Sequence, residues 1–168
     1  MQSRAQWRVT SGTQDPAAVA RLLGLLPHWF GFEESNAGYV EAAGRLPTYL
    51  AWQDGARHGS GQRPAGVLLV RRHFPAAAEI YLLAVDPALH RTGAGRALVS
   101  SAEADLAADG VQFLQVKTLG PSNPDAGYAL TRKFYLGIGF TPLEEFPDFW
   151  SPTQHCLIMV KTLAGASS

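Results

Sequence analysis

The chain has 168 residues, 46% hydrophobic and 17% charged, with 14 Lys and Arg balancing 14 Asp and Glu. That is about one domain on the usual scale of roughly 100–200 residues, with enough apolar matter for a core, which excludes a disordered tail. A formal net charge of +0 leaves no basic footprint for nucleic acid or an anionic membrane, and the single cysteine, Cys156, excludes an internal disulfide or a multi-cysteine zinc site. One cysteine also points to a reducing cytoplasm. No apolar run approaches the roughly 18 residues of a membrane span. Met1–Arg8 lacks the apolar segment of a secretory signal. The expectation is a soluble cytoplasmic protein with one domain over residues 6–163, and frayed termini at 1–5 and 164–168.

Trp7 to Thr10 reads as a first strand. Asp15 and Pro16 supply an N-cap and a proline at the first helical position. Val19, Leu22, Leu23 and Leu26 follow at helical spacing until Pro27. Ser35 is a cap for a second helix reaching about Gly44. Thr48–Gln53 reads as a strand, and the glycine-rich stretch Asp54–Pro64 as a mobile connection. Ala65–Phe74 and Glu79–Val85 are the clearest strands, joined antiparallel through a hairpin at Pro75–Ala77.

Gly95–Ala108 is the clearest helix, with Ala94, Leu98, Ala102 and Leu106 along one face and Gly110 at its end. Val111–Thr118 is a strand, and strand–helix–strand at this spacing implies a parallel crossover. Tyr128–Ile138 is a last helix closed by Gly139. Phe140–Phe146 and His155–Leu163 are final strands, with Asp148, Phe149 and Trp150 in the loop between them. The fold class is α+β, with about four helices and a mixed, mostly antiparallel sheet of six to seven strands.

The segment His90-Arg91-Thr92-Gly93-Ala94-Gly95-Arg96 lies between a buried strand and the strongest helix. Its glycines let a ligand approach the backbone closely, and first-turn amides carry positive partial charge, so the turn suits an anion such as phosphate. Each such charge interaction is worth only about 0.3–1 kcal/mol, so several amides with Arg91 and Arg96 have to act together. Other motifs fail. No lysine follows the glycines as in a P-loop, and Leu98 stands where a dinucleotide fingerprint needs its third glycine. Gly59-Ser60-Gly61 lacks the spacing of a serine hydrolase elbow. The five histidines are scattered without metal-ligand spacing, so no metal is expected.

Glu79 opens a strand, Glu79–Val85, that is otherwise apolar on both faces. A carboxylate there is either a solvated strand end or a partly buried group with a raised pKa, able to take a proton near neutrality.

Together these residues resemble the GNAT superfamily of acyl-CoA-dependent N-acyltransferases. The signature [QR]-x-x-G-x-[GA] is matched by His90 to Gly95, with His90 in place of Gln or Arg. Ala78-Glu79-Ile80 resembles the strand start that carries the general base in the histone-acetylating branch. Arg132 to Phe140, with Tyr135 ahead of Gly139-Phe140, resembles the second signature, whose tyrosine protonates the departing CoA thiolate. Tyr128 stands where the family often has asparagine, with Asn123 in the preceding loop.

The resemblance covers roughly Trp7 to Leu163. It implies acetyl-CoA as co-substrate, held at Leu83, Ala84, Val85 and His90, Arg91, Thr92, Gly93, Ala94, Gly95 and Arg96 between two splayed parallel strands. It implies Glu79 and Tyr135 as catalytic base and acid, and direct transfer to a primary amine of a small molecule, by a monomer or homodimer. Aromatics beside acids, in Trp29–Glu34 and in Glu145–Trp150, would suit a cationic amine. The rival reading is a non-catalytic acyl-CoA-binding module, which would keep the glycine turn and have no need of Glu79 or Tyr135.

Overall fold

The computed structural model describes residues 6–54 and 61–163. The termini expected to fray, and most of the Asp54–Pro64 connection, lie outside the described residues. The elements are β1 (Trp7–Ser11), α1 (Pro16–Gly24), α2 (Glu33–Ala43), β2 (Thr48–Gln53), β3 (Gly66–Phe74), β4 (Ala77–Val85), α3 (Ala94–Ala108), β5 (Phe113–Leu119), α4 (Ala126–Gly137), β6 (Thr141–Ser151) and β7 (Gln154–Thr162). They form a seven-stranded mixed sheet in the order β1-β2-β3-β4-β5-β7-β6. Among the described residues, no helix is long and apolar enough to cross a membrane.

By contact, the chain gathers into two compact units. One takes the described residues up to Arg71 together with Leu82–Asp105; the other takes Arg72–Tyr81 and the described residues from Leu106 onward. In the first, β2 pairs antiparallel with β1 and β3, from Trp7↔Gln53 to Ser11↔Tyr49 and from Thr48↔Leu69 to Ala51↔Gly66. Its core is the run Val67–Val70 of β3, buried on both faces as a central strand should be, with Val19, Leu22 and Leu23 of α1 and Leu98 and Val99 of α3. Asp15 accepts from the Ala18 amide and caps α1 as expected. Gly66 is packed so tightly that a Cβ would stand 3.0 Å from Leu98, 3.1 Å from Val85 and 3.3 Å from the Ala84 carbonyl.

In the second unit, β4 and β5 run parallel from Ala77↔Phe113 to Ile80↔Val116, as the crossover through α3 requires. Beyond these pairs β4 continues to Val85 and β5 to Leu119. β7 pairs antiparallel with β5 and with β6. Leu114, Val116, Phe140, Cys156 and Met159 form the core. α4 starts two residues earlier than expected, because Asp125 accepts from the Tyr128 amide.

Three further expectations are corrected. β4 begins at Ala77, so Glu79 is its third residue and does not open it. α2 begins at Glu33 with Phe32 at its cap and no side-chain cap bond, so Ser35 lies inside the helix. β6 continues to Ser151, so Asp148, Phe149 and Trp150 are strand residues. Register shifts after Pro142 and after Phe146 had broken the alternation that marks a strand. β6 is the last strand of the sheet and carries Pro142 and Pro147.

Gly66→Ala should destabilise the protein by about 1–3 kcal/mol, the usual cost of overpacking a filled core. Urea denaturation would measure it.

Candidate active site

The turn after β4 is built by short-range bonds. Asp86 accepts from the Ala88 amide in a 3-10 turn at Pro87–Leu89. The His90 ring donates from Nε2 to the Val85 carbonyl at 2.9 Å and meets Trp29 edge-on. The residue that departs from the family pattern therefore fastens the turn to the strand end. Thr92 Oγ donates to the Leu89 carbonyl, and Trp7 Nε1 donates to the Thr92 carbonyl at 3.1 Å.

Within this frame Arg91 has φ 64 and Gly93 φ 101. The left-handed backbone at Arg91 costs about 1–2 kcal/mol. A Cβ at Gly93 would meet only the Trp7 ring, at 3.8 Å, so the backbone angle and not the space demands glycine. Ala97 is the first residue after His90 whose amide finds a backbone acceptor among the described residues, Gly93 O at 2.9 Å. No internal acceptor for the amides from Arg91 through Arg96 is found among the described residues. Arg91 and Arg96 are exposed and without an ion-pair partner among the described residues. Such a turn can hold a polyanion.

Glu79 is buried and is not a solvated strand end. Its side chain is 6% exposed, and the protein supplies its partners. Lys117 Nζ is 3.1 Å from Oε1 and 3.2 Å from Oε2, and His73 Nε2 is 2.5 Å from Oε2. Glu79 is paired with Gln115 in the parallel ladder, so Lys117 is its diagonal neighbour on the same face of β5. Phe149 covers Lys117, 5.7 Å from the ammonium to the ring centroid, and packs against Phe146 and Trp150. Cys156 is buried nearby. Burial pushes its thiol up to about 11, with the Lys117 ammonium pulling it down and Glu79 adding to the rise.

Tyr135 is buried in α4, its ring edge-on to Phe134 and Phe140. Burial raises its pKa, so the phenol keeps its proton. No hydrogen bond to its hydroxyl is found among the described residues. Asn123 accepts from the Asp125 amide and is committed to its loop. Glu145 is bound to Ser122 Oγ at 2.5 Å, with His155 Nδ1 3.0 Å from that oxygen. A side chain at Gly120 would collide with it. Glu33 and Glu34 lie exposed in the first turn of α2.

Sequence reasoning missed His73 and Lys117. Both are polar residues on strands beside the one that carries Glu79, and only the register could have joined them. Among the described residues, no cluster of His, Cys, Asp or Glu could hold a metal ion.

A strand, a glycine turn and a helix, in this order on this sheet, are the arrangement of an acetyltransferase fold. The sequence model of the Acetyltransferase (GNAT) family matches residues 20–140, and the chain belongs to that family. No curated protein sequence matches it. Among solved structures it is similar to a protein described as a GNAT-family acetyltransferase from Desulfovibrio desulfuricans, at 20% identity and TM-score 0.76, over 95% of this chain and 99% of that one. It is similar to the ribosomal-protein-S18-alanine N-acetyltransferase of Escherichia coli, at 20% identity and TM-score 0.73, over 97% of each chain. An aminoglycoside 6'-N-acetyltransferase complexed with coenzyme A matches at 16% identity and TM-score 0.70, over 96% of this chain and 99% of that one. At these identities the likeness is one of fold.

Lys117→Met should cost about 3 kcal/mol, the lower end for leaving a buried charge without its ionic partner, because His73 remains on Glu79. Glu79→Leu combined with Lys117→Met should recover most of that loss. Equilibrium denaturation of the two variants is the check.

Proposed function

We propose that the protein is an N-acetyltransferase that transfers the acetyl group of acetyl-CoA directly to a primary amine of a small molecule. The observation that carries this reading is the His90–Arg96 turn, whose amides lack internal acceptors and whose two arginines are exposed, an arrangement that suits a pyrophosphate. Leu83, Ala84 and Val85, on the strand that leads into the turn, would line the pantetheine and thioester, with a backbone amide there receiving the oxyanion. Family membership supports acetyl-CoA as the donor.

An ammonium has no lone pair, so the acceptor must lose a proton before it attacks the thioester carbon. The cluster around Glu79 supports that role: Glu79 lies on the strand that also carries Leu83, and hydrogen bonds join its carboxylate to the imidazole of His73 and the ammonium of Lys117 on the two neighbouring strands. Tyr135, which stays protonated, would give its proton to the CoA sulfur as the C–S bond breaks. The aromatic group Phe146, Phe149 and Trp150 beside Asp148 suits a cationic acceptor. A reducing cytoplasm suits the one buried thiol.

Free-thiol release from acetyl-CoA against a panel of small amines and peptide N-termini, with CoA binding measured alongside, tests the reading. Turnover on a small amine is expected. CoA binding without turnover on the whole panel would favour a binding module, and turnover on peptides alone would move the acceptor class.

Two variants dissect it. Gly93→Asp should weaken CoA binding by about 10²-fold, the worth of one or two hydrogen bonds to a charged group, while thermal unfolding shows a folded protein. Tyr135→Phe should lower kcat by tenfold or more with the acetyl-CoA Kd unchanged, because protonation of sulfur matters only in the transition state. Single-turnover kinetics would read that loss.

A further inference from the structure

His73 is the open end of the Glu79 cluster: its side chain is 35% exposed against 6% for Glu79. The hydrogen-bond inventory assigns its protons. Both Glu79 oxygens accept from Lys117, an ammonium that can only donate. A carboxylate in that state can only accept, so in the 2.5 Å contact with Oε2 it is His73 Nε2 that carries the hydrogen. In the neutral ring the lone pair is then on Nδ1, and no partner for Nδ1 is found among the described residues.

Glu79 is buried with both oxygens occupied. A general base has to come within about 2.6–3.2 Å of the proton it takes, directly or through one water. Nδ1 carries the cluster's remaining lone pair, on a side chain that is 35% exposed. A buried carboxylate holding one imidazole nitrogen so that the other can accept is the division of labour that makes a histidine an effective base.

We propose that His73 Nδ1 receives the proton of the acceptor amine, with Glu79 as the positioning residue that fixes the ring and its tautomer. This rests on the acetyltransferase reading above. One N–H bond of the ammonium breaks and its proton goes to Nδ1. The freed lone pair forms the N–C bond to the thioester carbon, and the carbonyl electrons move to oxygen. As they return, the C–S bond breaks and the second amine proton leaves nitrogen, while the thiolate takes up one proton. The imidazolium gives its proton to solvent, so the balance is ammonium plus acetyl-CoA to amide, CoA thiol and one proton. The hydrogen bond from Nε2 to Glu79 holds the ring in this orientation.

The test uses the full chain with acetyl-CoA and the best amine of the panel. His73→Gln and His73→Ala should each lose about 10²-fold in kcat/KM for the amine at neutral pH, with the acetyl-CoA Kd unchanged. Both should lack the acidic limb that the imidazole contributes in wild type, and added imidazole should restore part of the rate to His73→Ala. Independently of any variant, nitrogen–proton correlation spectra of histidine-labelled wild type, at a pH where the ring is neutral, should give the Nε2–H tautomer for His73. Glu79→Gln should lose that preference.

Wild-type kcat/KM and pH profile in His73→Ala would overturn the proposal, as would an Nδ1–H tautomer in wild type. If the His73 variants stay active while Glu79→Gln loses about 10²-fold, Glu79 takes the proton itself and the acetyltransferase reading stands. If wild type binds CoA and acetylates nothing, that reading falls and the proposal falls with it.

Discussion

A carboxylate taken out of water has to be given its hydrogen bonds by the protein, and Glu79 receives them from strands on both sides of its own. The cost of leaving it unpaired is several kcal/mol, so the register of β4 against β5 is held by more than the apolar core. A slip of one residue would turn Lys117 to the other face and leave the charge alone. The same pairing keeps a carboxylate, an imidazole and an ammonium together at one place.

The glycine turn obeys a different constraint. Its conformation follows from local geometry, with His90 tied to Val85, Thr92 to Leu89 and Trp7 to Thr92. That scaffold holds Arg91 and Gly93 at positive φ and leaves a run of amides without internal acceptors. A turn with its amides unsatisfied is at a disadvantage in isolation. It persists because the side chains around it over-determine its path.

What the sequence made legible follows the same division. Elements whose signals are local were readable: Asp15 and Pro16 at the start of α1, the apolar run of β3, and the glycine turn, whose residues are consecutive. Glu79 stood out because it interrupts an apolar strand. Its partners did not, because Lys117 and His73 meet it only through strand pairing, which no local pattern encodes. β6 was read too short because two register shifts break its alternation, and α2 was given the wrong start because Ser35 resembles a cap and Phe32 does not. The bond of Glu145 to Ser122, with Gly120 leaving room for the carboxylate, was not legible either, because it joins residues 23 apart in the chain.

The two prolines of β6 bear on how the protein behaves at high concentration. An outermost strand with free N–H groups is a template on which other chains can add, and proline removes the donor at its own position. In edge strands proline occurs where its nitrogen faces away from the ladder, so Pro142 and Pro147 blunt the outer margin of β6 at two points. The bulges beside them twist that margin further out of line. Leu143, Phe149 and Trp150 can therefore stay exposed without seeding growth of the sheet from molecule to molecule. Replacing those prolines to straighten the strand would trade a regular ladder for a protein that sticks to itself.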